Sequence, residues 1–100
     1  MRYEQIAVYI LASIKNGTLY IGVTSYLLKR IYEHRTHAVD GFTKKYGVTK
    51  LVYYEMHETM ESAIHRESRL KKYTRIQKLK LIERTNPNWD DLWDSIAVQS

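Results

Sequence analysis

Ala7-Val8-Tyr9-Ile10-Leu11-Ala12-Ser13-Ile14-Lys15-Asn16-Gly17-Thr18-Leu19-Tyr20-Ile21-Gly22-Val23-Thr24 is the stretch that decides the fold. Two apolar runs, Gln5 to Leu11 and Thr18 to Val23, are rich in β-branched and aromatic residues and read as strands. Asn16-Gly17 between them is a turn dipeptide, so the runs form an antiparallel hairpin. That hairpin brings two tyrosine-bearing triplets together, Ala7-Val8-Tyr9 and Tyr20-Ile21-Gly22.

Outward from the hairpin, Thr24 or Ser25 is a suitable N-cap for a helix running to about Thr36, with Leu27, Leu28 and Ile31 on its buried face. His37 to Lys50 contains Gly41 and Gly47 and little periodicity, which predicts a loop with room for a short helix. Leu51 to Met56 reads as a third strand, with Tyr53 and Tyr54 alternating across it. Thr59 caps a helix whose apolar stripe, Met60, Ala63, Ile64 and Leu70, follows a 3.6-residue period. A further helix spans about Arg75 to Arg84 and buries Ile76, Leu79 and Ile82. Asn86-Pro87 ends it, because the residue before proline is driven out of the α region. Asn88 then starts a last helix, with Asp90 and Asp91 in its first turn. Trp89, Leu92, Trp93 and Ile96 form its core-docking face. The order ββαβααα predicts an α+β fold, a small three-stranded antiparallel sheet flanked by helices.

A chain of 100 residues is expected to be one domain over residues 1–100. It has no cysteine, which excludes disulfides and thiolate metal sites. No apolar run approaches the roughly 18 residues that span a bilayer, and residues 1–5 do not read as a signal peptide. A soluble, cytoplasmic protein with no membrane contact, a monomer or weak dimer, is the expectation. The net charge is +5, unevenly spread. Arg66, Arg69, Lys71, Lys72, Arg75, Lys78, Lys80 and Arg84 crowd one stretch opposed only by Glu67 and Glu83, whereas Asp90, Asp91 and Asp94 make the tail acidic. Such a concentration suits a polyanion, above all nucleic acid. The expected contacts are Lys29, Arg35, Lys44, Lys45, Lys71, Lys72, Arg75 and Lys78. A solvated helix face is the plain alternative.

Glu67 is out of place in its stripe, sharing a face with Ala63, Ile64, Leu70 and Lys71. A carboxylate there is unfavourable unless it is ion-paired, with Arg30 or another basic residue, or bound to a metal. A hard cation such as Mg²⁺ keeps most of its waters, so one carboxylate plus a substrate phosphate suffices. Arg30 and His34 share a helix face and read either as a guanidinium fork and an imidazole aimed at a phosphate, or as ordinary surface residues. His37, His57 and His65 show no spacing that converges on a metal. An unperturbed phenol titrates near about pH 10, so Tyr9 becomes a base only if a cation stabilises its anion. The Trp89–Trp93 region reads as core, or as a protein-binding surface should both indoles be exposed.

Assembled, these residues resemble the GIY-YIG nuclease superfamily, in particular its short single-domain bacterial members, and the N-terminal nuclease domain of an excinuclease. The resemblance covers nearly the whole chain. Tyr20-Ile21-Gly22-Val23-Thr24 matches the second signature triplet, including Gly22. Ala7-Val8-Tyr9 stands where the first belongs, with Ala-Val replacing Gly-Ile. Leu28-Lys29-Arg30-Ile31-Tyr32-Glu33-His34 resembles the helix bearing the family's arginine and histidine. Ala63-Ile64-His65-Arg66-Glu67 resembles its metal-binding glutamate region, and Asn86-Pro87-Asn88-Trp89-Asp90-Asp91-Leu92 its C-terminal signature. The resemblance implies an endonuclease acting on DNA in repair or processing, with one Mg²⁺ or Mn²⁺ ion held by Glu67. It makes Tyr9 the proton acceptor from water, Tyr20 its orienting partner, Arg30 the stabiliser of phosphate charge and His34 a proton relay. Asn86 enters as a motif residue, for which a helix-stop before Pro87 is a sufficient reason. The rival is a nucleic-acid binding module on the same scaffold without useful catalysis.

Overall fold

A computed structural model of the chain describes residues 4–36 and 41–97; His37 lies outside them. Strands β1 (Ala7–Ala12), β2 (Leu19–Thr24) and β3 (Lys50–Met56) form one sheet of order β2-β1-β3, antiparallel throughout. The helices are α1 (Leu27–Arg35), α2 (Phe42–Tyr46), α3 (Met60–Lys71), α4 (Arg75–Thr85) and α5 (Trp93–Ala97). This is the expected α+β architecture, with the anticipated short helix realised as α2. No helix among the described residues is long and apolar enough to cross a membrane.

The central strand explains why the chain opens on an unbroken apolar run. Every residue of β1 is buried, because the sheet is covered on both faces and side chains alternate between them. Val8, Ile10 and Ala12 pack with Ala63, Leu70, Leu81, Ile82 and Trp89. Ala7, Tyr9 and Leu11 pack on the opposite face with Leu27, Ile31, Val48, Leu51 and Ile96. The hairpin turn is wider than a two-residue loop: Ser13 N–H donates to Thr18 O at 3.0 Å and Gly17 N–H to Ile14 O at 2.9 Å. Asn16, not Gly17, takes the left-handed conformation (φ 60°), which its short polar side chain tolerates. Arg75 braces this loop from α4, donating to Asn16 O at 2.6 Å and Gly17 O at 2.7 Å.

Four local expectations are corrected. First, neither Thr24 nor Ser25 is the N-cap of α1; Tyr26 is, without a side-chain cap bond. Thr24 Oγ1 instead accepts from Tyr26 N–H at 3.1 Å, and Gln5 Oε1 from Leu28 N–H at 3.0 Å, so the free donors of the first turn are satisfied from the preceding strands. Second, Ile64 on α3 is exposed, since α3 meets the sheet through Ala63 and Leu70. Third, Ile76 is exposed, because α4 buries its C-terminal half, Leu81 and Ile82.

Fourth, no helix starts at Asn88. Trp89 adopts φ 57°, and the segment before α5 is clasped by Asn86, whose Nδ2 donates to Val52 O at 3.0 Å and Asp90 O at 2.9 Å while its Oδ1 accepts from Asp90 N–H at 2.9 Å. Asp91 Oδ1 then accepts from Trp93 N–H at 3.1 Å, just ahead of α5. The residues expected to form one face are thereby split across the sheet. Trp89 is fully buried with the α3–α4 cluster, its indole N–H donating to Glu83 at 2.7 Å, and Leu92, Trp93 and Ile96 join the other cluster. A binding surface that needs both indoles exposed is excluded by the burial of Trp89. The expected Thr59 cap of α3 is present, accepting from Ser62 N–H, and Thr74 forms a capping box with Gln77 at the start of α4.

Candidate active site

Strand register builds the site. Tyr9 pairs with Gly22 across β1 and β2, and Leu11 with Tyr20, so both tyrosines emerge on the α1 side. A methyl group on Gly22 would stand 2.5 Å from Tyr9 Cζ and Oη; only glycine leaves room for the phenol at this position. Gly22→Ala is therefore expected to displace Tyr9 and lower cleavage by about 10²-fold, the scale of a ~1 Å misplacement. Undiminished cleavage together with an unchanged Tyr9 ring resonance would show that the phenol does not need this space.

Tyr9 is 2% exposed and His34 4%. Tyr9 Oη lies 3.1 Å from His34 Nε2, and His34 Nδ1 lies 3.1 Å from Thr43 Oγ1. Tyr20 completes a triangle of rings, with centroids 6.3 Å from Tyr9 and 5.6 Å from His34. Burial, reinforced by Tyr20, Glu67 and Glu33 against the opposing field of Arg30, holds the Tyr9 phenol well above its usual range. Burial, then the Arg30 charge, pushes His34 below its ordinary value of 6.5. Tyr9 is thus a protonated donor at neutral pH and His34 a neutral acceptor. An arrangement in which Tyr9 O–H donates to Nε2 and Nδ1–H donates to Thr43 Oγ1 satisfies both ring nitrogens. In the ground state the stronger base of the pair is the imidazole, not the phenol.

Thr43 is the residue that sequence reading missed. It is buried and hydrogen-bonds His34 Nδ1 from α2, nine positions along the chain. No periodicity marks it. Thr43→Val removes the hydroxyl partner of Nδ1 and is expected to cut cleavage by about tenfold, a share of the 10²–10⁴ that positioned acid–base groups contribute; Thr43→Ser restores it. The wild-type rate should rise with pH through the His34 titration, below 6.5, and be flat at neutral pH. A profile still rising steeply above that value would remove neutral His34 from the reaction.

Arg30 projects from α1 with its side chain 41% exposed, and Nη1 lies 3.8 Å from Glu33 Oε1. Glu67 stands on α3. Its side chain is 17% exposed, and its ion-pair partner is Lys71 at 3.4 Å, not Arg30. The fields of Arg30 and Glu67 both act on the Tyr9 phenol, in opposite senses. Lys71 also lines a cavity of about 350 Å³ with Leu19, Tyr20, Ile21 and Lys78, linking the carboxylate's surroundings to the second tyrosine. No group of three or more His, Cys, Asp or Glu side chains converges on a metal site among the described residues. A single carboxylate beside phenols fits a hard cation that retains its water and takes oxygen from the substrate, and does not fit zinc.

The expected nucleic-acid contacts divide. Lys29, Lys44, Lys45, Lys71 and Lys72 are exposed and Lys78 is half-buried. Arg35 is bound to Asp91 at 2.6 Å and Arg75 to the hairpin loop, so both have structural duties as well. The side-chain hydrogen bonds of Asn86 run to the backbone of Val52 and Asp90, and reach none of the tyrosines.

Residues 5–80 match the family model of the GIY-YIG catalytic domain. A UPF0213 protein of Clostridium perfringens is 45% identical over 75 residues, covering 75% of this chain and 80% of its own. Another from Staphylococcus saprophyticus is 40% identical over 68 residues, 68% of this chain and 83% of its own. The solution NMR structure of the UPF0213 protein BH0048 from Bacillus halodurans superposes with a TM-score of 0.55 at 26% identity, over 87% of this chain and 92% of that one. Matched in sequence across the hairpin, α1 and α3, and in fold across nearly its whole length, the chain belongs to the GIY-YIG catalytic domain family of nucleases, alongside the short UPF0213 proteins.

Proposed function

We propose that the chain is a DNA endonuclease of repair or processing that uses one Mg²⁺ or Mn²⁺ ion at Glu67. The observation that carries the reading is the buried Tyr9–His34–Thr43 hydrogen-bonded line beside the Arg30 and Glu67 charges. A structural core has no need to enclose a neutral imidazole against a phenol with a guanidinium and a carboxylate nearby.

In this reading a water molecule attacks phosphorus and its proton passes to Tyr9 Oη as the Tyr9 proton passes to His34 Nε2. The bond from phosphorus to the 3′ oxygen breaks and the departing oxygen takes a proton from solvent water, leaving a 3′ hydroxyl and a 5′ phosphate. Tyr20 orients the attacking water. Arg30 stabilises charge on the phosphate oxygens, a preorganised electrostatic role. The bound ion supplies Lewis-acid stabilisation of the phosphate and the departing oxygen. Lys71 and Lys78 hold the backbone on one side of the site, and Lys29 on the other.

The test is incubation with labelled linear, nicked and branched DNA, with Mg²⁺, Mn²⁺ or chelator. Products ending in 5′ phosphate, formed only with metal, support the proposal. Binding that falls steeply with salt, without cleavage of any substrate, would instead make the chain a binding module.

A further inference from the structure

We propose that the groove between α1 and α5 is a subsite for an unpaired base of the DNA strand being cut, an inference that rests on the nuclease reading above. The groove encloses about 450 Å³ and is lined by Tyr26, Leu28, Lys29, Tyr32, Trp93 and Ala97. That volume falls in the range of roughly 300–1,000 Å³ typical of small-ligand sites and accommodates a nucleobase. Tyr32 is 58% exposed, an aromatic ring standing in water with its centroid 6.4 Å from that of Trp93. Behind it Leu28 and Trp93 rest on the core, which makes the floor rigid.

Charge selects the occupant. Among the described residues no acidic side chain lines the groove, and Lys29 is its charged wall. The Arg35 guanidinium sits 5.1 Å from the centre of the Trp93 ring and is paired with Asp91. Asp94 belongs to α5 but does not line the groove. Aromatic rings rimmed by cations are the surface on which successive bases of a single strand stack. Tyr26 and Lys29 also line the polar cavity that contains Arg30 and Glu33. Groove and guanidinium therefore share two walls, and a strand whose phosphate reaches Arg30 passes beside the groove. A paired duplex keeps its base faces stacked; only an unpaired base offers one to Tyr32. The substrate class this implies is a single strand, flap or gap rather than intact duplex.

Binding of a fluorescein-labelled short single strand and of a hairpin duplex, both in chelator to prevent cleavage, tests the subsite. Tyr32→Ala should weaken single-strand binding by about tenfold, the scale of one lost base–aromatic contact, and leave duplex binding unchanged, whereas Tyr32→Phe behaves as wild type. The single strand should also quench Trp93 emission, and Trp93→Phe, which leaves only the enclosed Trp89, should abolish that response. Equal weakening for both ligands, or for neither, would overturn the proposal. So would a wild-type dimer lost in Tyr32→Ala, which would make the groove an interface between copies. Tyr32-dependent binding without any metal-dependent cleavage would sink the nuclease reading and leave the subsite standing; cleavage with no Tyr32 dependence would do the reverse.

Discussion

Glu67→Ala is expected to abolish metal-dependent cleavage and to leave the fold in place. In the proposed reading this carboxylate is the oxygen donor that α3 supplies to the ion, and without it the neighbouring phenols are poor ligands for Mg²⁺. Its structural share is small: its ion pair is an i,i+4 contact with an exposed lysine, worth about 0.3–0.5 kcal/mol. For a domain of this size that amounts to a fall of only a few degrees in the melting midpoint, since about 1 kcal/mol moves it by 4–8 °C. Glu67→Gln should be equally inactive, because the shape is kept and the charge is lost. Full cleavage in either variant would take Glu67 out of the site.

Arg30→Ala is expected to lower turnover by roughly 10² or more, as when a preorganised charge stabiliser is removed. The contact to Glu33 at 3.8 Å is loose, so the guanidinium is available to the substrate and its loss costs the fold little. Arg30→Lys should recover only part of the rate, because an ammonium cannot reproduce the planar fork. Arg30 also depresses the His34 titration. Its removal therefore raises the His34 pKa, and the acid limb of the rate profile should move to higher pH. A change confined to substrate affinity, with no shift of that limb, would make Arg30 an ordinary phosphate anchor.

The parts of this arrangement legible in the sequence are those set by neighbours along the chain. Hairpin register follows from two apolar runs and a turn, so Tyr9 and Tyr20 meet as expected. The Thr59 cap and the stop before Pro87 are equally local. What the sequence concealed depends on contacts between distant segments. Thr43 matters because α2 folds onto α1, and nothing in its own neighbourhood distinguishes it from any other threonine. Trp89 and Trp93 have helical spacing, yet the Asn86 clasp and a left-handed residue at Trp89 place their rings on opposite faces of the sheet. Ile76 reads as buried because periodicity says which face of a helix is apolar, but not how far along its length the helix touches the sheet. The role of Tyr9 is the subtlest case: a tyrosine can be read as a base from its motif, while its burial and acidic surroundings favour the protonated form.

Titration with paramagnetic Mn²⁺, followed through the tyrosine and histidine ring resonances, reads the ion's position without relying on activity. If Glu67, two phenols and an imidazole surround one ion, the signals of Tyr9, Tyr20 and His34 broaden first, and Glu67→Gln erases the effect. Broadening centred elsewhere, or unaltered in Glu67→Gln, would mean that no ion sits between Glu67 and the tyrosines.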